Sequence, residues 1–298
     1  MCNFARTDKS EFYMKRRILI PMLLALTSIN LYAQIDGLTG FFSKESFTLG
    51  QSKLAYRKAT INEEVTTLPS LVLYLHGGTS RGEDNEAQLN EVAVDVIYQY
   101  LTEHGISAIM IVPQCPTGGG WTSQLRRVVN ELAKSFISAG TVDEKRIYVM
   151  GGSMGGTGTW TQLSYFPNFY AAAMPVAGNP TGLDPAKVAT TPVLTVMGTA
   201  DRIMSIPTVE AFVDDIKEAD GIVVLDIEES WTHENTCELA YTDERLAWLF
   251  SQVRAGTTGV CTIPVSATSN HLYYDLSGRI VTKPKSGIYI RDGKKIVF

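Results

Sequence analysis

An α/β fold, a mostly parallel sheet flanked by helices, is predicted by three observations. Short continuous apolar runs recur along the chain, as strands covered on both faces require. Helix-length stretches separate them, which implies β-α-β units. Third, Arg146 to Trp160 reads RIYVMGGSMGGTGTW, a β-branched run that meets a glycine-rich turn and then a helix.

The elements follow in chain order. Phe41 to Ile61 holds two strand-like stretches around Gly50, expected as antiparallel edge strands. Ser70 to Leu75 (SLVLYL) is a buried strand that ends in His76-Gly77-Gly78. A helix is expected from Asn85 to His104, with Gly105 just past its end. Ser107 to Val112 is the next strand and Trp121 to Ala139 the next helix. Ile147 to Met150 is a strand, followed by a helix from Gly156 to Leu163. Tyr170 to Val176 and Thr191 to Met197 read as strands. Pro207 to Ala219 reads as a helix with Pro in its first turn. Gly221 to Glu228 is the last core strand, and Cys237 to Val253 the final helix. Sheets of this kind carry function at the carboxyl ends of their strands.

Composition narrows the classes. The 298 residues carry a net charge of −5, so nothing points to a nucleic-acid partner. No run of apolar residues is long enough for a membrane span. Four cysteines occur without a C-x-x-C spacing and histidine is scarce, so no metal site is expected.

Both ends of the chain differ from its middle. Lys15-Arg16-Arg17 precedes an apolar run from Ile18 to Leu26, and Leu31-Tyr32-Ala33-Gln34 offers a cleavage site after Ala33. That is the layout of a secretory signal over residues 1–33. Met14 stands directly before the basic cluster and reads as the true start, with 1–13 as an extension. Export implies an oxidising compartment. Cys237 and Cys261 then either pair or remain free buried thiols, and the sequence leaves both open. Residues 34–256 are expected to form the main α/β domain. Residues 257–270, rich in Thr and Ser, read as a linker, and 271–298 as a small β-rich tail. From His271 onward there are six Lys/Arg against two Asp/Glu, so the tail is basic although the chain is acidic. Turn signals stand at Ser277-Gly278 and Asp292-Gly293.

The chemistry centres on Gly151-Gly152-Ser153-Met154-Gly155, a G-x-S-x-G with a strand before it and a helix after it. This is the layout of a nucleophile elbow, in which glycines allow the helix to pack close to the strand. Ser153 needs a base, and the chain has four histidines. His104 sits at a helix end, His271 in the tail, and His76 on a loop ahead of the serine. Only His233, in Trp231-Thr232-His233-Glu234-Asn235, lies on a loop after the last core strand. The acid should follow a strand between the two, which selects Asp201 in Gly198-Thr199-Ala200-Asp201. Asp184 lies in a Pro-rich connection, Asp214 and Asp215 inside a helix, and Asp226 within a strand. Serine, then acid, then histidine is the order found in α/β-hydrolases. Two N–H donors are expected for the oxyanion, from Met154 and from Gly78, with Thr79 as the other candidate for the second.

The assembled segments resemble the secreted α/β-hydrolases of the esterase, feruloyl and acetyl-xylan esterase, and "predicted peptidase" group. LYLHGGTSRGEDN, VPQCP with a following Trp, GGSMGGTGTW, PVAG, MGTAD, and the His233 segment with AYTDERLAWL carry the likeness over most of residues 70–250. The resemblance implies the α/β-hydrolase fold and the triad Ser153, Asp201 and His233. It also implies that Gln114 and Trp121 lie near the site and bind substrate. Hydrolysis through an acyl-enzyme on Ser153 needs no cofactor. Cys237 departs from it, since relatives often carry Trp shortly after the histidine. The tail resembles the C-terminal sorting domain of the type IX secretion system, which implies secretion machinery as a partner and a secreted or cell-surface location.

The expected activity is serine-dependent hydrolysis of carboxylic esters, and the resemblance implies feruloyl or acetyl esters attached to plant polysaccharides. The connection from Ala177 to Thr191 is short, so no large lid and an open cleft are expected. A serine peptidase of related fold, a lipase or polyester depolymerase, and a non-catalytic surface-binding protein are the alternatives.

Overall fold

The computed structural model describes residues 38–122 and 124–254, and strand backbone at 273–274, 280–281, 288–291 and 294–297. The leader over 1–33, the linker over 257–270, Cys261 and His271 lie outside the described residues. The chain divides into two compact units, Met1–Ala255 and Gly256–Phe298.

The first unit is built on eight strands: β1 (Ser43–Leu49), β2 (Ser52–Ile61), β3 (Ser70–Leu75), β4 (Ala108–Pro113), β5 (Ile147–Gly152), β6 (Ala172–Val176), β7 (Val193–Gly198) and β8 (Val223–Glu228). Their order across the sheet is β1-β2-β4-β3-β5-β6-β7-β8. β1, β2 and β4 pair antiparallel, and every pair from β4 to β8 is parallel. The chain steps from β3 to β4 on one side and then crosses to β5 on the other. That reversal opens a crevice at the carboxyl ends of β3 and β5.

Helices cover both faces: α1 (Val92–Glu103), α2 (Gln124–Ser138), α3 (Met154–Tyr165), α4 (Pro185–Val188), α5 (Ile206–Glu218), α6 (His233–Leu239) and α7 (Asp243–Ser251). The pleat of β3 sends alternate residues to opposite faces. Val72 and Tyr74 join one core with Val94 and Ile97 of α1 and Leu249 of α7. Leu71, Leu73 and Leu75 join the other with Leu132 of α2, Leu163 of α3 and Val213 of α5. Full burial of such a side chain contributes about 1.5–3 kcal/mol, so the two cores fix the register of every central strand.

Three helix boundaries differ from the sequence expectation. Asn85 does not begin a helix. Its φ of +55° is left-handed, and its N–H donates to Gln114 Oε1 at 2.6 Å. A 3₁₀ turn at Ala87–Asn90 intervenes, and α1 starts at Val92. Trp121 precedes α2 because its ring is fully buried in the core. The expected final helix is two helices, each capped by a threonine. Thr232 caps α6 in a capping box with Asn235, and Thr242 caps α7. His233 is therefore the first residue of α6 rather than a loop residue.

Among the described residues no helix is long and apolar enough to cross a membrane. The second unit contains β9 (Tyr273–Tyr274), β10 (Ile280–Val281), β11 (Ile288–Arg291) and β12 (Lys294–Val297), an antiparallel sheet in the order β10-β9-β11-β12.

Candidate active site

Ser153 sits between β5 and α3 with φ +57° and ψ −117°. Such a conformation costs a non-glycine residue roughly 1–3 kcal/mol and persists only where its surroundings fix it. Here they do. The Ser153 N–H donates to Val176 O at 3.0 Å. A Cβ at Gly155 would lie 1.7 Å from Leu75 O, and one at Gly151 would lie 2.3 Å from the same oxygen. The elbow is thus pressed against the end of β3, and only glycine fits at the two flanking positions.

The structure brings Ser153, His233 and Asp201 together. His233 Nε2 lies 2.7 Å from Ser153 Oγ, and His233 Nδ1 lies 2.8 Å from Asp201 Oδ2. An ionised carboxylate only accepts, so Nδ1 carries the proton and Nε2 offers its lone pair to the serine hydroxyl. Thr232, capping α6, fixes where His233 leaves the backbone. The Asp201 side chain is wholly covered, and its Oδ1 accepts from the N–H groups of Ile203 at 2.7 Å and Met204 at 2.9 Å. Three separate post-strand segments therefore converge on one hydrogen-bonded line.

Beside the serine lies the loop that follows β3. Met154 opens α3, so its N–H has no acceptor within the helix. Gly78 and Thr79 line the same cleft as Ser153. The Gly77 N–H is already committed to Glu91 Oε1 at 2.6 Å. His76 is fully buried behind this loop. Its Nε2 accepts from Cys115 N–H at 2.9 Å, so Nδ1 is the protonated nitrogen and donates to Gly77 O at 2.7 Å. Burial lowers the His76 pKa to about 4 and keeps the ring neutral. That bond polarises the peptide whose N–H belongs to Gly78.

Gln114 and Trp121 stand differently from the expectation. Neither lines the cleft. Gln114, 2% exposed, donates to Asp84 Oδ1 at 2.7 Å and accepts from Asn85 N–H. Trp121 donates from Nε1 to His76 O at 3.0 Å and packs under Gly158. Both brace the loop after β3 from behind and have no surface to offer a substrate. Sequence reasoning also passed over Glu91 and gave His76 no role. The stretch Arg81 to Glu91 holds four carboxylates, and nothing in the order of residues marks which one folds inward.

The cleft has a volume of about 540 Å³. Its lining includes Glu91, Glu234 and Glu238 but no Lys or Arg among the described residues. Cys237 is also in its wall. Burial first, then the charge of Glu91, pushes the thiol up to about 12, so it stays protonated and is no competitor to Ser153 as nucleophile. A larger cleft of about 810 Å³ lies along edge strand β8 and touches none of the three aligned residues. Its central cation, Arg245, is paired internally with Asp226 and Glu228. Among the described residues no group of three or more His, Cys, Asp or Glu is placed to hold a metal ion.

Comparison with solved structures places this architecture. A thermostable esterase superposes with a TM-score of 0.66 at 26% identity, over 72% of this chain and 64% of its own. The fold is that of an α/β-hydrolase. The feruloyl esterase module from Clostridium thermocellum gives a TM-score of 0.57 at 12% identity, over 72% of this chain and 89% of that one. A Mycobacterium tuberculosis puromycin-hydrolyzing peptidase gives 0.57 at 17%, over 71% and 40%. These two distant likenesses bear on the fold alone. The chain thus spans less than two thirds of the length of the thermostable esterase and less than half that of the peptidase. The sequence pattern of the prolyl oligopeptidase family, Peptidase_S9, matches residues 129–181, a segment that contains the elbow. No curated protein matches the chain.

Proposed function

We propose that the chain is a serine hydrolase that cleaves carboxylic esters through an acyl-enzyme. One observation carries the reading, the line from Ser153 Oγ through the His233 ring to Asp201. Ser153 Oγ attacks the ester carbonyl while its proton passes to His233 Nε2. Asp201 holds the ring and offsets the imidazolium charge. The N–H groups of Met154 and Gly78 hold the oxyanion, with Thr79 as the other candidate. The Gly77 N–H, bound to Glu91, is excluded from that role. The carbonyl–oxygen bond then breaks and the alcohol leaves with the proton from His233. Water attacks the acyl-serine, gives its proton to His233, and releases the acid and Ser153.

Esters are favoured over amides by the likeness to the thermostable esterase. The connection from 177 to 191 contains only α4 and no lid, which suits a bulky or polymer-bound substrate. The acidic cleft disfavours acyl groups that carry their own carboxylate. Feruloyl or acetyl esters on plant polysaccharides meet both conditions. Export through the leader, and sorting by the type IX machinery through the basic tail, would bring the enzyme to such polymers. A serine peptidase is the second reading, because the prolyl oligopeptidase pattern covers the elbow.

The test is a substrate panel on the full chain: methyl ferulate, p-nitrophenyl acetate, a long-chain ester and a peptide amide, each with Ser153→Ala as control. The reading expects the short and feruloyl esters to be turned over, and the serine variant to lose roughly 10⁶ in kcat. Turnover of the amide alone would favour the peptidase, and no turnover would remove both.

A further inference from the structure

Glu91 is a partly buried carboxylate that the steps above leave unused. It is the cap residue of α1, yet its side chain makes no bond to its own helix. It turns back into the crevice. Tyr74 Oη donates to Oε2 at 2.7 Å, while Gly77 N–H and Ser80 Oγ donate to Oε1 at 2.6 and 2.8 Å. Those donors come from the end of β3 and from both ends of the loop that carries Gly78. A Cβ at Gly77 would lie 3.2 Å from Glu91 Oε1 and 3.8 Å from Ser153 Cβ. Gly77 is therefore pinched between the carboxylate and the nucleophile.

We propose that Glu91 is a positioning residue, which clamps the 77–80 loop so that the Gly78 N–H meets the oxyanion formed at Ser153. This rests on the hydrolase reading given above. Among the described residues, three donors and no cation define its surroundings. The other titratable groups close to it, Tyr74, Tyr241 and Cys237, are all held protonated by burial. Burial also raises the Glu91 pKa, and the three hydrogen bonds oppose that rise. A buried carboxylate is costly unless its oxygens are fully engaged. Here the cost is offset by three bonds, two of which tie down one loop while the third anchors the carboxylate to β3. Without them, the segment keeps bonds only to its carbonyls: His76 Nδ1 to Gly77 O at 2.7 Å, Ser80 N–H to the same oxygen at 3.4 Å and Arg81 to Gly78 O at 3.3 Å.

The experiment measures ester turnover, thermal midpoint and the Ki of an aryl trifluoromethyl ketone, which forms an oxyanion on the serine. The full chain is compared with Glu91→Ala, Glu91→Asp and Glu91→Gln. Glu91→Ala is expected to lose roughly 10²-fold in kcat with KM little changed, as a displaced oxyanion donor does. The Ki should rise in proportion. Glu91→Gln keeps an oxygen for Gly77 and Ser80, so it should stay within roughly 10-fold of wild type, neutral acceptors being about half as strong as charged ones. Glu91→Asp keeps the charge but not the reach, should fall by a similar factor, and supplies the comparison where the alanine variant does not fold. Folded variants with unchanged kcat, or a lost kcat with unchanged Ki, would overturn the proposal. If wild type turns over no ester, or Ser153→Ala still does, the hydrolase reading itself fails and this inference with it. An active, Ser153-dependent enzyme indifferent to Glu91 removes this inference alone.

Discussion

The two loops that meet at Ser153 leave neighbouring strands, yet they are held in different ways. The elbow after β5 is held by backbone against backbone. Gly151 and Gly155 press on a single oxygen, Leu75 O, and side chains play little part. The loop after β3 is held by side chains: its own His76 on Gly77 O and, reaching in from elsewhere, Glu91 on Gly77 N–H and Trp121 on His76 O. The first device is steric and tolerates no exchange. The second is a polar network, whose strength depends on protonation.

The largest effect that would break this contrast is expected at Gly155. Gly155→Ala places a methyl on the Leu75 carbonyl, an overlap that backbone cannot relieve. A loss above about 4 kcal/mol, or no folded protein, is expected from urea unfolding. A stable, active Gly155→Ala chain would remove the steric account.

The polar loop should show itself as acid sensitivity. The folded-state pKa of His76 is about 4, below the ordinary 6.5, so the unfolded chain takes up a proton that the folded one refuses. Its contribution is fully present above pH 6.5 and is lost as pH falls toward 4, up to about 3 kcal/mol. Glu91 works in the opposite sense, because its raised pKa lets the folded state take a proton first as pH falls. Urea midpoints at pH 7 and pH 4.5 for wild type and His76→Gln separate the two. The variant should show the smaller acid loss, and equal losses would deny His76 this role.

The smallest effect is expected at Gly78. A Cβ there meets only the Arg81 guanidinium at 3.4 Å, the mobile end of a long side chain. Gly78→Ala should stay within about 1 kcal/mol of wild type in stability. A loss as large as that at Gly155 would mean that both loops are sterically fixed.

The same contrast explains what could be read from the sequence. The elbow was legible because sterics leave a residue pattern: only glycine fits at 151 and 155. Asp201 and His233 were legible because the strand order places both on post-strand segments, although His233 turned out to begin α6. The clamp was not legible. The expected helix from Asn85 would put Glu91 in its second turn, whereas the left-handed Asn85 delays the helix to Val92 and leaves Glu91 at the cap. Gln114 and Trp121 enter by resemblance as substrate-binding residues, whereas burial turns them toward the loop's underside. Which polar side chain folds inward is decided by tertiary packing, and local pattern does not record it.

Whether His233 and Asp201 activate Ser153 is tested most directly with an active-site fluorophosphonate. With the full chain, mass spectrometry of the digest should find one adduct, on Ser153. The adduct should vanish in Ser153→Ala and form far more slowly in His233→Ala, since removing the base costs about as much as removing the nucleophile. No adduct on the folded wild-type chain, or an adduct that forms as fast without His233, would contradict the account.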